Sequence, residues 1–243
     1  MEEFPWKLNS SNLTTTFLPP ARCSWNMPIG WRPDRLIIDD ELEGHYRDYK
    51  MQYDFVAIPD DEVPHAVNRL FQHLVTTYAS ETNKTISMWR AVPDNRLDFK
   101  PHEKTNSIRT IMAHQILSER RFFGQFIGTQ EPPVEELLPP GDKQPVQAYI
   151  DKYLWLARQR LPQLAAATET WWLTPVPFFG GLQRERIWTF WRRVLHTCHH
   201  RTQVQTWLRL AGLHVPAIYG PSGDMKWSEA DPTYSVEAAK RGT

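Results

Sequence analysis

Four segments of the chain place apolar residues at the spacing of an amphipathic helix. The first is predicted to begin near Asp60, to carry Pro64 in its first turn and to run to about Thr82. Its stripe follows the i, i+3, i+4, i+7 pattern of one helix face. The stripe consists of Val67, Leu70, Phe71 and Leu74.

The other three helices are predicted from similar stripes and from residues typical of helix ends. The second covers residues 108–127 and follows Ser107, a good capping residue. The third covers residues 145–168, and the fourth covers residues 184–211 and ends at Gly212. The candidates for the apolar side of the third helix are Tyr149, Tyr153, Leu156, Leu161 and Leu164.

Four long helices with no convincing strand between them predict an all-α fold, a four-helix bundle. The connections of roughly fifteen to twenty-five residues are long for a simple up-down bundle, so we expect crossing loops. The predicted organisation is an N-terminal extension over residues 1–60, the bundle over 61–220 and a polar tail over 221–243.

The extension combines six prolines with three tryptophans and shows no sustained helical period. Proline is excluded from helix interiors, so an irregular segment is expected. Its tryptophans indicate that it packs on the body of the protein. We expect it to cover apolar bundle surface; the alternatives are a lid over the functional site and a homodimer surface.

Composition narrows the function classes. The chain of 243 residues carries 28 Lys and Arg against 28 Asp and Glu, and this zero net charge disfavours nucleic-acid binding. Residues 1–6 do not show the pattern of a secretory signal and no run of eighteen apolar residues occurs, so we expect neither secretion nor membrane association. Two cysteines are too few for a disulfide framework, which suits a reducing, cytoplasmic location.

Histidines on the predicted second and fourth helices form a candidate metal site. His196 and His200 are four residues apart, which stacks their rings on one helix face about 6 Å apart. His114 on the second helix is the third candidate. Geometry slightly favours His200 as the partner of His196, but His199 also shares a face with His196.

Two other classes of zinc site do not match this pattern. A zinc metalloprotease needs a glutamate directly after the first histidine, and that position is Thr197. A zinc finger needs a pair of cysteines, whereas only Cys198 lies near the histidines. We expect Cys198 to be a small core residue.

Two blocks of the sequence resemble the DinB/YfiT-like (damage-inducible B) superfamily over roughly residues 62–220. One block is His-Thr-Cys-His-His-Arg-Thr-Gln over residues 196–203, followed by Leu-Arg, a glycine and a proline; the other covers residues 107–114, with Glu119 downstream. Thr202 departs from the family's usual glycine, so helix packing there is expected to differ. The resemblance implies an up-down-down-up bundle. It also implies one divalent metal, zinc or nickel, bound by His114, His196 and His200, with His200 rather than His199 as the ligand.

The resemblance also implies a chemistry, because characterised enzymes of the family use low-molecular-weight thiols in S-transfer or isomerisation. A three-histidine site leaves coordination positions open, which is the catalytic pattern. The leading hypothesis is a metal-dependent thiol S-transferase-like enzyme acting on a thiol and an electrophile, and the alternative is a non-catalytic metal-binding stress-response or scaffold protein. Gln203 is a candidate partner of a metal ligand. Four arginines are expected on solvated helix faces: Arg120, Arg121, Arg192 and Arg193.

Overall fold

The computed structural model describes residues 56–138, 144–220 and 222–224, and these form an all-α protein built on a four-helix bundle. The helices in chain order are α1 (Gln72–Arg90), α2 (Ile108–Phe122), α3 (Val146–Ala165), the short α4 (Glu169–Leu173) and α5 (Arg186–Leu210). Most of the predicted extension over 1–60 and of the predicted tail over 221–243 lies outside the described residues.

Three of the four predicted helices are confirmed, with ends set by the expected residues. The Ser107 side chain accepts a hydrogen bond from the Thr110 amide at the start of α2, and a π-helical turn, Phe123–Ile127, continues that helix. Gly212 adopts a φ of 70° just after α5, in the left-handed region that favours glycine. The predicted apolar side of α3 is buried: Tyr149, Tyr153, Leu156, Leu161 and Leu164.

The predicted bounds of the first helix are wrong. Residues Asp60–Glu62 form a single 3-10 turn, and Asn68 caps a second one that leads into α1 at Gln72. Val67 and Leu70 are therefore largely exposed, whereas Phe71 and Leu74 reach the core. The helix continues to Arg90. Its residues 80–85 are polar but buried, so no apolar stripe marks this part of the helix in the sequence.

Contacts between the four long helices confirm the up-down-down-up order. Helix α1 packs against α3 and α5, and so does α2. In the antiparallel pairs, residue numbers rise on one helix as they fall on the other. These contacts are Tyr78–Arg160 and Trp89–Tyr153 for α1 with α3, and Gln115–Thr197 and Glu119–Arg193 for α2 with α5. In the parallel pairs they rise together, in His73–Trp191 and Glu81–Arg201 for α1 with α5, and in Arg109–Tyr149 and Glu119–Arg160 for α2 with α3.

The bundle core consists of two apolar clusters with a charged layer between them. One cluster contains Tyr153 and the other contains Tyr78. Both hydroxyls donate to the carboxylate of Glu119, each at 2.9 Å, so the charged layer connects the clusters. The charged layer consists of Glu119, Arg160 and Arg193, and Arg193 also contacts His196.

The connection between α4 and α5 contains a small hairpin that the sequence did not predict. Strands β1 (Pro175–Pro177) and β2 (Gln183–Glu185) pair antiparallel. The turn between them uses Gly180 and Gly181 at φ values of 71° and 75°, which only glycine adopts readily. Within the part of the chain described, no helix combines the length and apolar character needed to cross a membrane.

Candidate metal centre

The three predicted ligands meet at the interface of α2 and α5. His114 comes from α2, and His196 and His200 come from successive turns of α5, so the antiparallel packing brings the three rings together. One ring nitrogen from each lies within 4.8 Å of the other two. Small side-chain rotations bring nitrogens at this spacing onto one ion, since Zn–N bonds are about 2.0–2.1 Å.

The group lines an open cavity of about 550 Å³. His114 is exposed, whereas His196 and His200 are partly buried. The lining residues are His114, Arg192, Leu195, His196, His199 and His200. A small molecule can therefore reach the histidines from solvent.

His199 lies at the rim of this cavity, outside the group of three. Its side chain is exposed, and its ring centre is 5.1 Å from that of His200 and 6.5 Å from that of His196. It therefore offers a natural comparison for the three histidines that converge.

The surroundings of His200 match those of a metal ligand. Its Nδ1 lies 2.8 Å from Oε1 of Gln203, an acceptor, so Nδ1 carries the ring proton. Its Nε2 then holds a lone pair, and this atom is buried without a hydrogen-bond partner. Buried polar atoms are nearly always paired, so this nitrogen points to a ligand.

His196 has a different neighbour. Arg193 donates from Nη1 to its Nδ1 at 3.0 Å. Arg193 is buried and also donates to Ser118 Oγ at 3.0 Å and to Glu119 Oε2 at 3.1 Å. The interpretation of Arg193 as part of a solvated helix face is wrong, because Glu119 compensates its charge inside the bundle.

The three rings resist protonation. Burial, together with the nearby Arg193 cation, lowers the pKa of His196 to about 3. Burial lowers the pKa of His200 to about 4, although the hydrogen bond to Gln203 opposes the shift. The pKa of His114 is also lowered by burial and Arg193. All three are neutral at pH 7, which is the form that binds metals.

Comparison with known proteins identifies the family of this chain. The family model described as "DinB family" matches residues 65–232, more than half of the sequence. The chain belongs to the DinB family. None of the curated proteins matches it significantly.

Two solved structures are similar to this DinB-family chain. A DinB-like protein from Bacillus cereus ATCC 10987 has 20% sequence identity and a TM-score of 0.53, covering 60% of this chain and 95% of that one. A DinB-like protein from Bacillus subtilis, YjoA, has 14% identity and a TM-score of 0.48, with 60% and 96% covered. At 20% identity, the first of these supports the fold.

The charged layer next to this DinB site was not predicted from the sequence. Glu119 is fully buried, and its carboxylate is paired with Arg160 at 2.9 Å and with Arg193 at 3.1 Å. Arg160 also contacts Glu131 at 2.5 Å. The only sequence signal was Glu119 itself, five residues after His114, because nothing in the local pattern indicates which arginines are buried.

Two further expectations for α5 have different outcomes. Cys198 is partly buried and packs against the apolar cluster that contains Tyr78, as expected of a small core residue. Its thiol is also 3.3 Å from both Glu81 Oε2 and the Tyr219 hydroxyl. Burial raises the pKa of this thiol. Thr202 is exposed and hydrogen-bonds the carbonyl of Cys198, so it faces away from the bundle interior.

Proposed function

We propose that this DinB-family protein binds one divalent metal ion through His114, His196 and His200 and uses it to activate a low-molecular-weight thiol for reaction with an electrophile. The reaction class is S-transfer or thiol-dependent isomerisation. Zinc and nickel are the proposed metals, since imidazole nitrogens suit both.

The observation that carries this proposal is the free Nε2 of His200. This nitrogen is buried and has no hydrogen-bond partner, while the contact between Nδ1 and Gln203 holds the ring in place. Metal-ligating histidines have this arrangement. The low pKa values of His196 and His200 keep both rings unprotonated in neutral solution. The donor set therefore fits a divalent metal without a change in protonation.

The metal would supply the acidity that the thiol lacks, because a free thiol has a pKa near 8.5 and coordination favours its thiolate. The protein's own residues perform the remaining tasks. Gln203 orients His200, and the open cavity admits both reactants. Arg192 lines the cavity and adds positive charge beside an incoming anion. Thiol chemistry of this type fits a reducing compartment such as the cytoplasm.

A second candidate function is metal binding without turnover, in a stress-response or scaffold role. It is supported by the cavity lining, in which the described ionisable residues are histidines and one arginine, with no carboxylate to act as a general base. The two candidates share the metal site and differ in what occupies the open coordination positions.

Cobalt-substituted protein separates the two functions. Glutathione, bacillithiol and mycothiol are each added to the Co²⁺ form, and thiolate-to-cobalt charge-transfer absorption is recorded. Turnover is then followed with chlorodinitrobenzene and the zinc form. Thiol-dependent absorption and turnover that disappear in His200→Ala are expected. Stoichiometric metal binding with no thiol-induced absorption would reject the thiol function and favour the non-catalytic role.

A further inference from the structure

The two candidate ligands on α5 have opposite hydrogen-bond partners. His200 presents Nδ1 to the amide oxygen of Gln203 at 2.8 Å. His196 presents Nδ1 to the guanidinium of Arg193 at 3.0 Å. The first partner accepts a hydrogen bond, and the second can only donate one.

This difference assigns opposite tautomers to two neutral rings. A guanidinium has no acceptor, so Nδ1 of His196 must hold a lone pair and Nε2 must carry the proton. His200 has the reverse arrangement. Metal-ligating histidines usually donate their second N–H to an acceptor, as His200 does. His196 instead has its Nδ1 lone pair occupied by a cation.

Both modes of metal coordination by His196 require Arg193 to withdraw. Coordination through Nδ1 uses the lone pair that now accepts from the guanidinium. Coordination through Nε2 requires the ring proton to move from Nε2 to Nδ1, where two donors would face each other. In either mode the hydrogen bond between Arg193 and His196 is broken, while the ring stays neutral.

Other contacts hold Arg193 in place and make its withdrawal costly. The residue is only 2% exposed. Its guanidinium donates to Ser118 Oγ, Glu119 Oε2 and the Gln115 carbonyl, at 3.0, 3.1 and 3.4 Å. The Glu119 carboxylate is itself fixed by Arg160, so the position of Arg193 is determined by the whole charged layer.

We propose that Arg193 is a positioning residue that competes with the metal for His196, so that metal binding includes its withdrawal from Nδ1. This inference rests on the proposed metal site and adds a determinant of its affinity. A competing guanidinium weakens binding and speeds metal exchange, compared with a site in which all three ligands donate to acceptors.

The test replaces the guanidinium of Arg193, which only donates hydrogen bonds, by an amide whose oxygen accepts them. In Arg193→Gln, the amide oxygen can accept from Nδ1–H of His196, as Gln203 does for His200. Zinc affinity, measured by competition with a chromophoric chelator, is expected to rise at least about tenfold, the lower end of the effect of such partners. The matched control is Arg193→Lys, which keeps a cation that can only donate hydrogen bonds at this position and should not raise zinc affinity.

Nitrogen-15 NMR of the histidine rings provides a second readout that does not depend on the variants folding. In zinc-free wild type, His196 is expected as the Nε2–H tautomer and His200 as the Nδ1–H tautomer. An Nδ1–H tautomer at His196 would overturn the inference, and so would unchanged or weaker zinc binding in a folded Arg193→Gln. Failure of wild type to bind zinc would instead reject the proposed function itself.

Discussion

Two buried glutamates, Glu119 on α2 and Glu81 on α1, each pair with an arginine of α5. Glu119 is 1% exposed and contacts Arg160 and Arg193, together with two tyrosine hydroxyls. Glu81 is 8% exposed and pairs with Arg201 at 2.8 Å. Its carboxylate also accepts from Tyr219, a residue that is 59% exposed.

The two glutamates differ in whether water can replace an ion-pair partner that is removed by mutation. Water can approach Glu81 along Tyr219, whereas the groups around Glu119 are sealed between two apolar clusters. A charge left unpaired in a sealed site retains its full desolvation cost. The network of Glu119 should therefore contribute more to stability, and it is also the network that reaches His196 through Arg193.

Loss of the Glu119 carboxylate should produce the largest effect. Glu119→Ala leaves Arg160 and Arg193 buried beside a cavity, so the free energy of unfolding is expected to fall by about 3–5 kcal/mol. Urea denaturation followed by circular dichroism measures this change. A loss below about 1 kcal/mol would show that the charged layer is dispensable.

The corresponding change at the more accessible site should be smaller. Glu81→Ala removes the partner of Arg201, and water is expected to solvate part of the freed guanidinium. The free energy of unfolding should fall by about 2 kcal/mol, within the usual cost of an unsatisfied buried group. The same denaturation experiment applies, and a loss equal to that of Glu119→Ala would remove the proposed distinction.

The dependence of the free energy of unfolding on acid pH tests the surroundings of Glu81 more finely. Burial raises the pKa of Glu81, but Arg201 and Lys84 outweigh burial and hold this pKa below its ordinary value. Its contribution to stability is therefore complete above the unfolded-state pKa of about 4.3 and is lost as the pH falls through the lowered folded-state pKa.

The variant Glu81→Gln should show a shallower loss of stability below about pH 4.3 than wild type does, because it has one carboxylate fewer to protonate. Denaturation midpoints at a series of pH values measure the slope. The buried histidines contribute equally to both proteins, so the difference isolates Glu81. Parallel slopes would mean that Glu81 has the same pKa in the folded and unfolded states.

The parts of the fold that were predictable are those with one apolar and one polar face. Helix α3 is such a case, and its buried stripe was identified correctly. The predicted bounds of helix α1 were wrong because residues 80–85 are polar and yet buried, which breaks the expected apolar pattern. Local periodicity reports burial only when the buried residues are apolar.

The candidate site was likewise predictable only in part. Helix geometry slightly favoured His200 over His199 as the partner of His196, and the resemblance to a family implied the same choice. His114 was a candidate from its place on a second predicted helix, and the resemblance implied it as a ligand, but its approach to the other two depends on tertiary packing. The role of Arg193 was not predictable, because its burial depends on Glu119, a residue 74 positions away in sequence.

Metal content tests the central claim most directly. Purified protein is loaded with zinc or nickel, dialysed and analysed for bound metal by mass spectrometry. Wild type and His199→Ala are expected to hold about one ion per chain, because His199 lies outside the converging group. His114→Ala, His196→Ala and His200→Ala should each lose most of it while remaining folded. Full metal occupancy in all three variants would contradict the account.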